Sequence, residues 1–209
     1  MSVRFVSVLA GLAALALGGC VEGVTTTAGK PSDFIVVGDF AVTAGAVHLD
    51  PSFGFSLYRG EAGVPQQQRA QSVGRAVAFL VTDTIVDRLR ARGYDTVSAA
   101  NTNPPGTGYR ALIVSGTLRT VDEGQRRRVG NEQSAVIAAV DIKAELPNGS
   151  TLPVQSFAVD SRTAPPAPPE SGATKRETGV DADAAKVGAE IARVVADVAR
   201  RNNWLPTTK

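Results

Sequence analysis

Few side chains in this sequence could make or break a covalent bond. Its 209 residues hold one cysteine, Cys20, and one histidine, His48. A single cysteine excludes an internal disulfide, and a single histidine excludes a histidine-rich metal cluster or a two-histidine zinc site within one chain. His48 heads the run His48-Leu49-Asp50-Pro51-Ser52, which places imidazole, carboxylate and hydroxyl within five residues. Catalytic triads gather three side chains from distant segments, with nucleophile-to-base and base-to-orienter geometry that neighbours in one turn rarely achieve. The run therefore reads as a solvent loop. No Gly-x-Ser-x-Gly elbow, phosphate-binding loop or His-Glu-x-x-His helix occurs, and Gly106-Thr107-Gly108 lacks the further glycine and the acid of a dinucleotide fingerprint. Nothing in the sequence marks a catalytic residue, a metal ligand or a cofactor site.

Cys20 stands in a different context. Arg4 precedes an apolar run from Phe5 to Leu17, and small residues lead to the cysteine. That is the layout of a secretory leader, and 13 apolar residues fall short of the roughly 20 that span a bilayer as a helix. Leu17-Gly18-Gly19-Cys20 resembles the lipobox of bacterial lipoproteins. The resemblance implies cleavage between Gly19 and Cys20, a diacylglycerol thioether on the sulfur and acylation of the new amine. Only a thiol forms that thioether. At about 0.8 kcal/mol per buried methylene, two or three acyl chains make a permanent anchor where one would not. Val21 stands where an aspartate would signal retention at the inner membrane, so the expected location is the outer membrane, facing the periplasm.

The elements that must carry any site follow from breakers and periodicity. Residues 20–32 form a lipidated tether rich in Thr and Gly. A single domain is expected over 33–205. Asp33 to Phe40 reads as a buried strand, and Thr43 to Gln68 as a long loop with room for a small hairpin of its own. Arg69 to Arg92 repeats Val73, Val77, Leu80, Val81, Ile85 and Leu89 at helical spacing, stopped by Gly93. Phe79 and Val86 lie off that stripe and read as additional core contacts, with contact to a second layer or a partner as the alternative. Tyr94 to Ala99 predicts a short strand. Ala111 to Val121 begins apolar on both faces and ends in alternation, which predicts one end projecting beyond a covering helix. Ser134 to Leu146 alternates, Pro147-Asn148-Gly149-Ser150 reverses the chain, and Leu152 to Val159 returns. A proline-rich excursion covers 161–179, and Asp181 is placed to cap a last helix striped with Ala184, Val187, Ile191, Val194, Val195 and Val198. The fold class is α/β (α+β): one mixed sheet of four to five strands, a long helix after strand one and a carboxy-terminal helix.

Two segments are candidates for contact with other molecules. The aromatic residues Phe53, Phe55 and Tyr58 of the long loop offer large contact area at low entropic cost, with packing on the domain as the competing use. Arg126-Arg127-Arg128 is the one dense charge run. It could meet lipid headgroups, peptidoglycan carboxylates or an acidic partner, or simply solvate the end of a strand pair, since Asp122, Glu123 and Glu132 dilute it. Loss of residues 1–19 would remove Arg4 and no acid, lowering the formal charge from +2 to +1. No net field then draws the chain to nucleic acid.

With these elements laid out, the chain resembles a bacterial lipoprotein family catalogued as domain of unknown function forty-four-ten. The likeness rests on the lipobox, the first strand ending in Asp39-Phe40, the long helix before Gly93-Tyr94, and Tyr109-Arg110-Ala111-Leu112-Ile113-Val114-Ser115-Gly116. It continues in Val121-Asp122-Glu123-Gly124 with its arginines and in the last helix before Trp204. A glycine-rich stretch expected after the arginines is shortened here to Val129-Gly130-Asn131-Glu132-Gln133. More remotely, the layout is similar to periplasmic domains of the curli secretion lipoprotein, the amino-terminal domain of the Tol-Pal translocation protein and lipoprotein activators of penicillin-binding proteins. These resemblances imply a non-enzymatic, lipid-anchored envelope protein with an envelope-protein or peptidoglycan partner. The alternatives are a subunit of an oligomeric secretion or transport assembly and a cell-wall-modifying hydrolase.

Overall fold

A computed structural model of the chain describes residues 34–50, 64–99, 110–124, 133–166, 179–202 and 204. The strands are β1 (Phe34–Val37), β2 (Ala41–Val42), β3 (Val47–His48), β4 (Thr96–Ser98), β5 (Ala111–Asp122), β6 (Ala135–Glu145) and β7 (Thr151–Asp160). Two helices accompany them, α1 (Gln66–Ala91) and α2 (Val180–Arg201). The mixed α/β sheet runs in the order β4-β1-β5-β6-β7, with β2 and β3 also on β5.

β1, β2 and β3 follow one another along the same edge of β5, all parallel to it. Amides between and beyond them continue the ladder: Gly38 donates to the Val114 carbonyl, Thr43 to that of Leu118, and the Ala46 carbonyl accepts from Val121. They behave as one strand with two interruptions. The hairpin expected within residues 43–68 is therefore replaced, over its described part, by pairing with the main sheet. The edge of β5 is already available there, so Val47 and His48 gain ladder bonds without a partner of their own. β5, β6 and β7 form an antiparallel meander with irregularities at Arg119 and Val154. At the β6–β7 turn, Gly149 takes a φ of 78° and the Asn148 carboxamide oxygen accepts the Ser150 amide.

Register sorts the side chains into two faces. Ile35, Val37, Leu112, Val114, Leu118, Val121, Val136, Ala138, Val140 and Ile142 point to the helices and are buried. Both helices cover this face, α1 over β1 to β4 and α2 over β6 and β7. Arg92 reaches the Ala192 carbonyl, Tyr94 that of Ala196, and Thr84 abuts Gly188, so the two helices run parallel. Among the described residues no helix lies on the other face. Val121 remains fully buried at the far end of β5. The alternation along that strand thus reports the uncovered face, and no end of β5 projects past the helices.

The stripes read from the sequence form the core, with two differences. Val86 is 4% exposed and belongs to it, whereas Phe79 is 69% exposed. α2 starts two residues earlier than a cap at Asp181 requires: Gly179, with φ 81°, takes the N-cap position without a side-chain bond. Asp181 and Asp183 then sit in the first turn, where the helix dipole favours acids.

Candidate functional site

Strands β3, β5 and β7 end, and both helices begin, at the same pole of the domain. His48 and Asp50 lie there, with several acids of the described residues. His48 lies opposite Asp122 on the uncovered face and is exposed, while Asp50, two residues on, is 5% exposed. The solvent-loop expectation thus fails at both residues: His48 is exposed but belongs to β3, and Asp50 is buried. Glu123, also buried, accepts the Asp50 amide on Oε2 at 3.1 Å. His48 belongs to the β3 ladder, its carbonyl accepting from the Glu123 amide, whereas Asp50 lies beyond the end of that strand and is buried.

The neighbouring acids are engaged in local structure. Asp122 Oδ1 accepts the Gly124 amide at 2.8 Å, turning the chain as β5 ends. Asp160 receives Arg162 through Nη2 at 2.6 Å and Nε at 3.0 Å, a fork that holds its carboxyl below the ordinary carboxylate range. Ser134 Oγ donates to Asp183 Oδ2 at 2.5 Å, and Lys186 Nζ meets Oδ1 at 3.0 Å. This sews the start of β6 to the first turn of α2. Among the described residues, no group of three or more His, Cys, Asp or Glu side chains is arranged to hold a metal.

Two depressions flank the helices. One, of about 640 Å³, lies between the β2–β3 segment and the first half of α1, with Val42, Val47, Ala70, Gln71 and Arg75 in its walls. Val42 and Val47 come close to the helix because residue 74 is glycine: a β-carbon there would stand 3.1 Å from Val47 Cγ2. The other, of about 610 Å³, lies between α2 and β7 and is lined by Gln155, Arg193, Val194, Asp197, Arg200 and Arg201. Arg193 bridges Glu190 and Asp197 across successive turns, and its bond to Glu190 raises its pKa. Arg200 pairs with Asp197 as well.

The residues singled out by sequence for anchoring or contact, Gly19, Cys20, Phe53, Phe55, Tyr58, Arg126, Arg127 and Arg128, lie outside the described residues. Sequence reading missed the Asp160–Arg162 fork and the Ser134–Asp183 bond. The first has a visible signal, an acid followed at i+2 by arginine as a strand ends; the second joins residues 49 apart and has none.

The domain is a two-layer α/β structure with a pair of parallel helices on one face of a mixed sheet. No family model matches the chain, and no curated protein does. Among solved structures it is similar to a dodecamer of a PelC variant from Paraburkholderia phytofirmans, at 13% identity over 81% of this chain and 90% of that one, with a TM-score of 0.37. It is similar at 14% identity to an uncharacterized protein, over 82% of this chain and 94% of that one, with a TM-score of 0.35. The hypothetical protein CT253 from Chlamydia trachomatis shares 10% identity over 82% and 96% of the two chains, with a TM-score of 0.28. Likenesses this distant carry no functional argument.

Proposed function

We propose that this is a lipid-anchored protein of the bacterial cell envelope, held at the outer membrane through Cys20, whose α/β domain acts in the periplasm by binding rather than by catalysis. The observation that carries the reading is the sole cysteine, standing directly after Leu17-Gly18-Gly19 at the end of a 13-residue apolar run. The order of motifs that resembles domain of unknown function forty-four-ten supports the same placement. Support for binding over chemistry comes from the pole around His48. There Asp122, Asp160 and Asp183 each hold a turn, an arginine or a helix end in place, and His48 is exposed while Asp50 is buried.

Fractionation after Cys20→Ala tests the anchor. The variant should leave the membrane fraction or accumulate with its leader uncleaved, and it should take up no labelled fatty acid. Normal processing and membrane partition of the variant would sink the proposal. Crosslinking in intact cells, followed by mass spectrometry, tests the binding role: the same envelope partner should return in repeated captures.

A further inference from the structure

The described charges are unevenly distributed along the strand direction. β1 and β5 begin, β6 ends, and both helices end at the pole opposite His48. Exposed cations cluster at this pole: Arg90 and Arg92 at the end of α1, Lys143 on β6, Arg200 and Arg201 at the end of α2. The exposed acids there are Asp87 and Asp95, with Glu145 and Asp197 half-buried. Arg90 donates to the Thr96 carbonyl, Arg92 to that of Ala192, and Arg201 to the carboxamide of Gln155 and the Asp197 carbonyl. Carbonyl acceptors orient a guanidinium without cancelling its charge, whereas Arg200 is paired with the Asp197 carboxylate. The pole around His48 carries Asp50, Asp122, Glu123, Asp160, Asp181 and Asp183, against which stand Arg162 and Lys186, paired with Asp160 and Asp183, and Arg69 and Arg75 at the start of α1.

Exposed apolar side chains share the cationic pole. Arg201, at the end of α2, reaches only as far along β7 as Gln155. The strand runs on past the helix, and Leu152, which pairs with Ala144 on the helix-facing side, is left 53% exposed with Val154 at 36%. Pro147 and Pro153 are exposed beside them. A hairpin tip with exposed apolar side chains at one edge of a cationic pole matches the two layers of a membrane surface: headgroup charge outside, hydrocarbon beneath.

We propose that this pole docks on the anionic headgroup surface of the membrane that holds the anchor, with Leu152 and Val154 at the contact on the β7 edge and Arg90, Arg92, Lys143, Arg200 and Arg201 spread across the same pole. The inference rests on the Cys20 anchor proposed above. The chain enters the described fold at Phe34, at this same pole, and the 13 residues from Val21 to Asp33 reach at most about 45 Å when fully extended. Confinement at that range amounts to roughly millimolar effective concentration, so a patch too weak to bind from solution suffices. Charges act over only about 8 Å at physiological salt, which favours the pole nearest the attachment point. The pole around His48 then faces away from the membrane.

The test uses the lipidated full chain in vesicles, either phosphatidylcholine alone or phosphatidylcholine mixed with phosphatidylglycerol. With the Cys20 sulfur acylated, Leu152→Cys supplies a single free thiol for an environment-sensitive dye, and His48→Cys supplies the control. The dye at position 152 should shift to the blue on mixed vesicles and not on phosphatidylcholine alone, and the dye at 48 should shift on neither. Arg90→Glu with Arg92→Glu and Lys143→Glu should abolish the shift while the protein still floats with the vesicles. An unshifted dye at 152 on mixed vesicles overturns the docking, as does an equal shift on both vesicle types. A shift that grows with protein concentration in detergent without vesicles would assign the surface to a second copy of the chain, overturning it too. Failure of the anchor is read separately, as absence of acyl mass on Cys20 and failure to float.

Discussion

The ring of Phe40 occupies the space that a side chain on Gly116 would need. A β-carbon at 116 would run into that ring and stand 2.7 Å from the Ala139 carbonyl oxygen. Phe40 lies in the interruption between β1 and β2, and leaving the ladder there lets its ring drop onto the glycine, where it is 4% exposed. Phe40→Ala is expected to cost about 3–5 kcal/mol, and Gly116→Ala about 1–3 kcal/mol by overpacking. Urea unfolding of the two variants checks both. A Gly116→Ala protein as stable as the parent would show that the ring moves freely aside.

A second close approach fixes the helix pair. A β-carbon at Gly188 would sit 2.7 Å from Thr84 Cβ and 3.0 Å from the Val81 carbonyl oxygen. Gly188→Ala gains about 1 kcal/mol of helix propensity, yet it meets a β-carbon and a carbonyl oxygen, neither of which a rotamer change can move. A net loss of about 1–2 kcal/mol is expected, again read by denaturant titration. In a Thr84→Gly background the same alanine should cost less.

Ser134 and Asp183 join the sheet to α2. Asp183 is 6% exposed and shares its oxygens between the Ser134 hydroxyl and Lys186. Ser134→Ala should cost about 1–2 kcal/mol, because a buried carboxylate then loses a short donor. Asp183→Ala should cost more, since it strands both partners. Hydrogen exchange should locate the added opening in the first turns of α2, not in its last ones.

The Asp160–Arg162 fork makes stability depend on pH in the acid range. Its hydrogen bonds lower the Asp160 pKa in the folded chain, so the unfolded chain takes up the proton first. The stabilisation is complete above the unfolded value of about 3.9 and is lost as pH falls through the lower folded one. Wild type and Asp160→Asn should therefore differ by a constant amount between about pH 5 and 8 and converge below about pH 4. A difference that persists unchanged into strong acid would rule out this fork as its source.

Periodicity carried much of the fold. Val77, Val81, Ile85 and Leu89 on α1, and Val136 to Ile142 on β6, are core residues because a helix or strand has one side to hide, and the spacing of apolar residues names that side. Local signals failed where the partner was remote. Val47 and His48 are a strand because β5 offers them an edge, and the buried Asp50 has its amide met by Glu123, 73 residues away. Phe79 has the type of a core residue yet faces outward, which no spacing rule distinguishes from Val86 seven positions on.

By itself the sequence determined the α/β class, the amphipathic stripes and the chemical singularity of Cys20, since these are properties of residue type and interval along one chain. Its near-neutral charge of +2 promised no strong field. Tertiary structure alone decided where those charges go. Two helices running parallel to one another place Arg90, Arg92, Arg200 and Arg201 at one pole, and the strand ends place Asp122, Glu123 and Asp160 at the other. Net charge is a sum that ignores position, whereas screening confines each charge to its own neighbourhood, and only the fold sets which charges are neighbours.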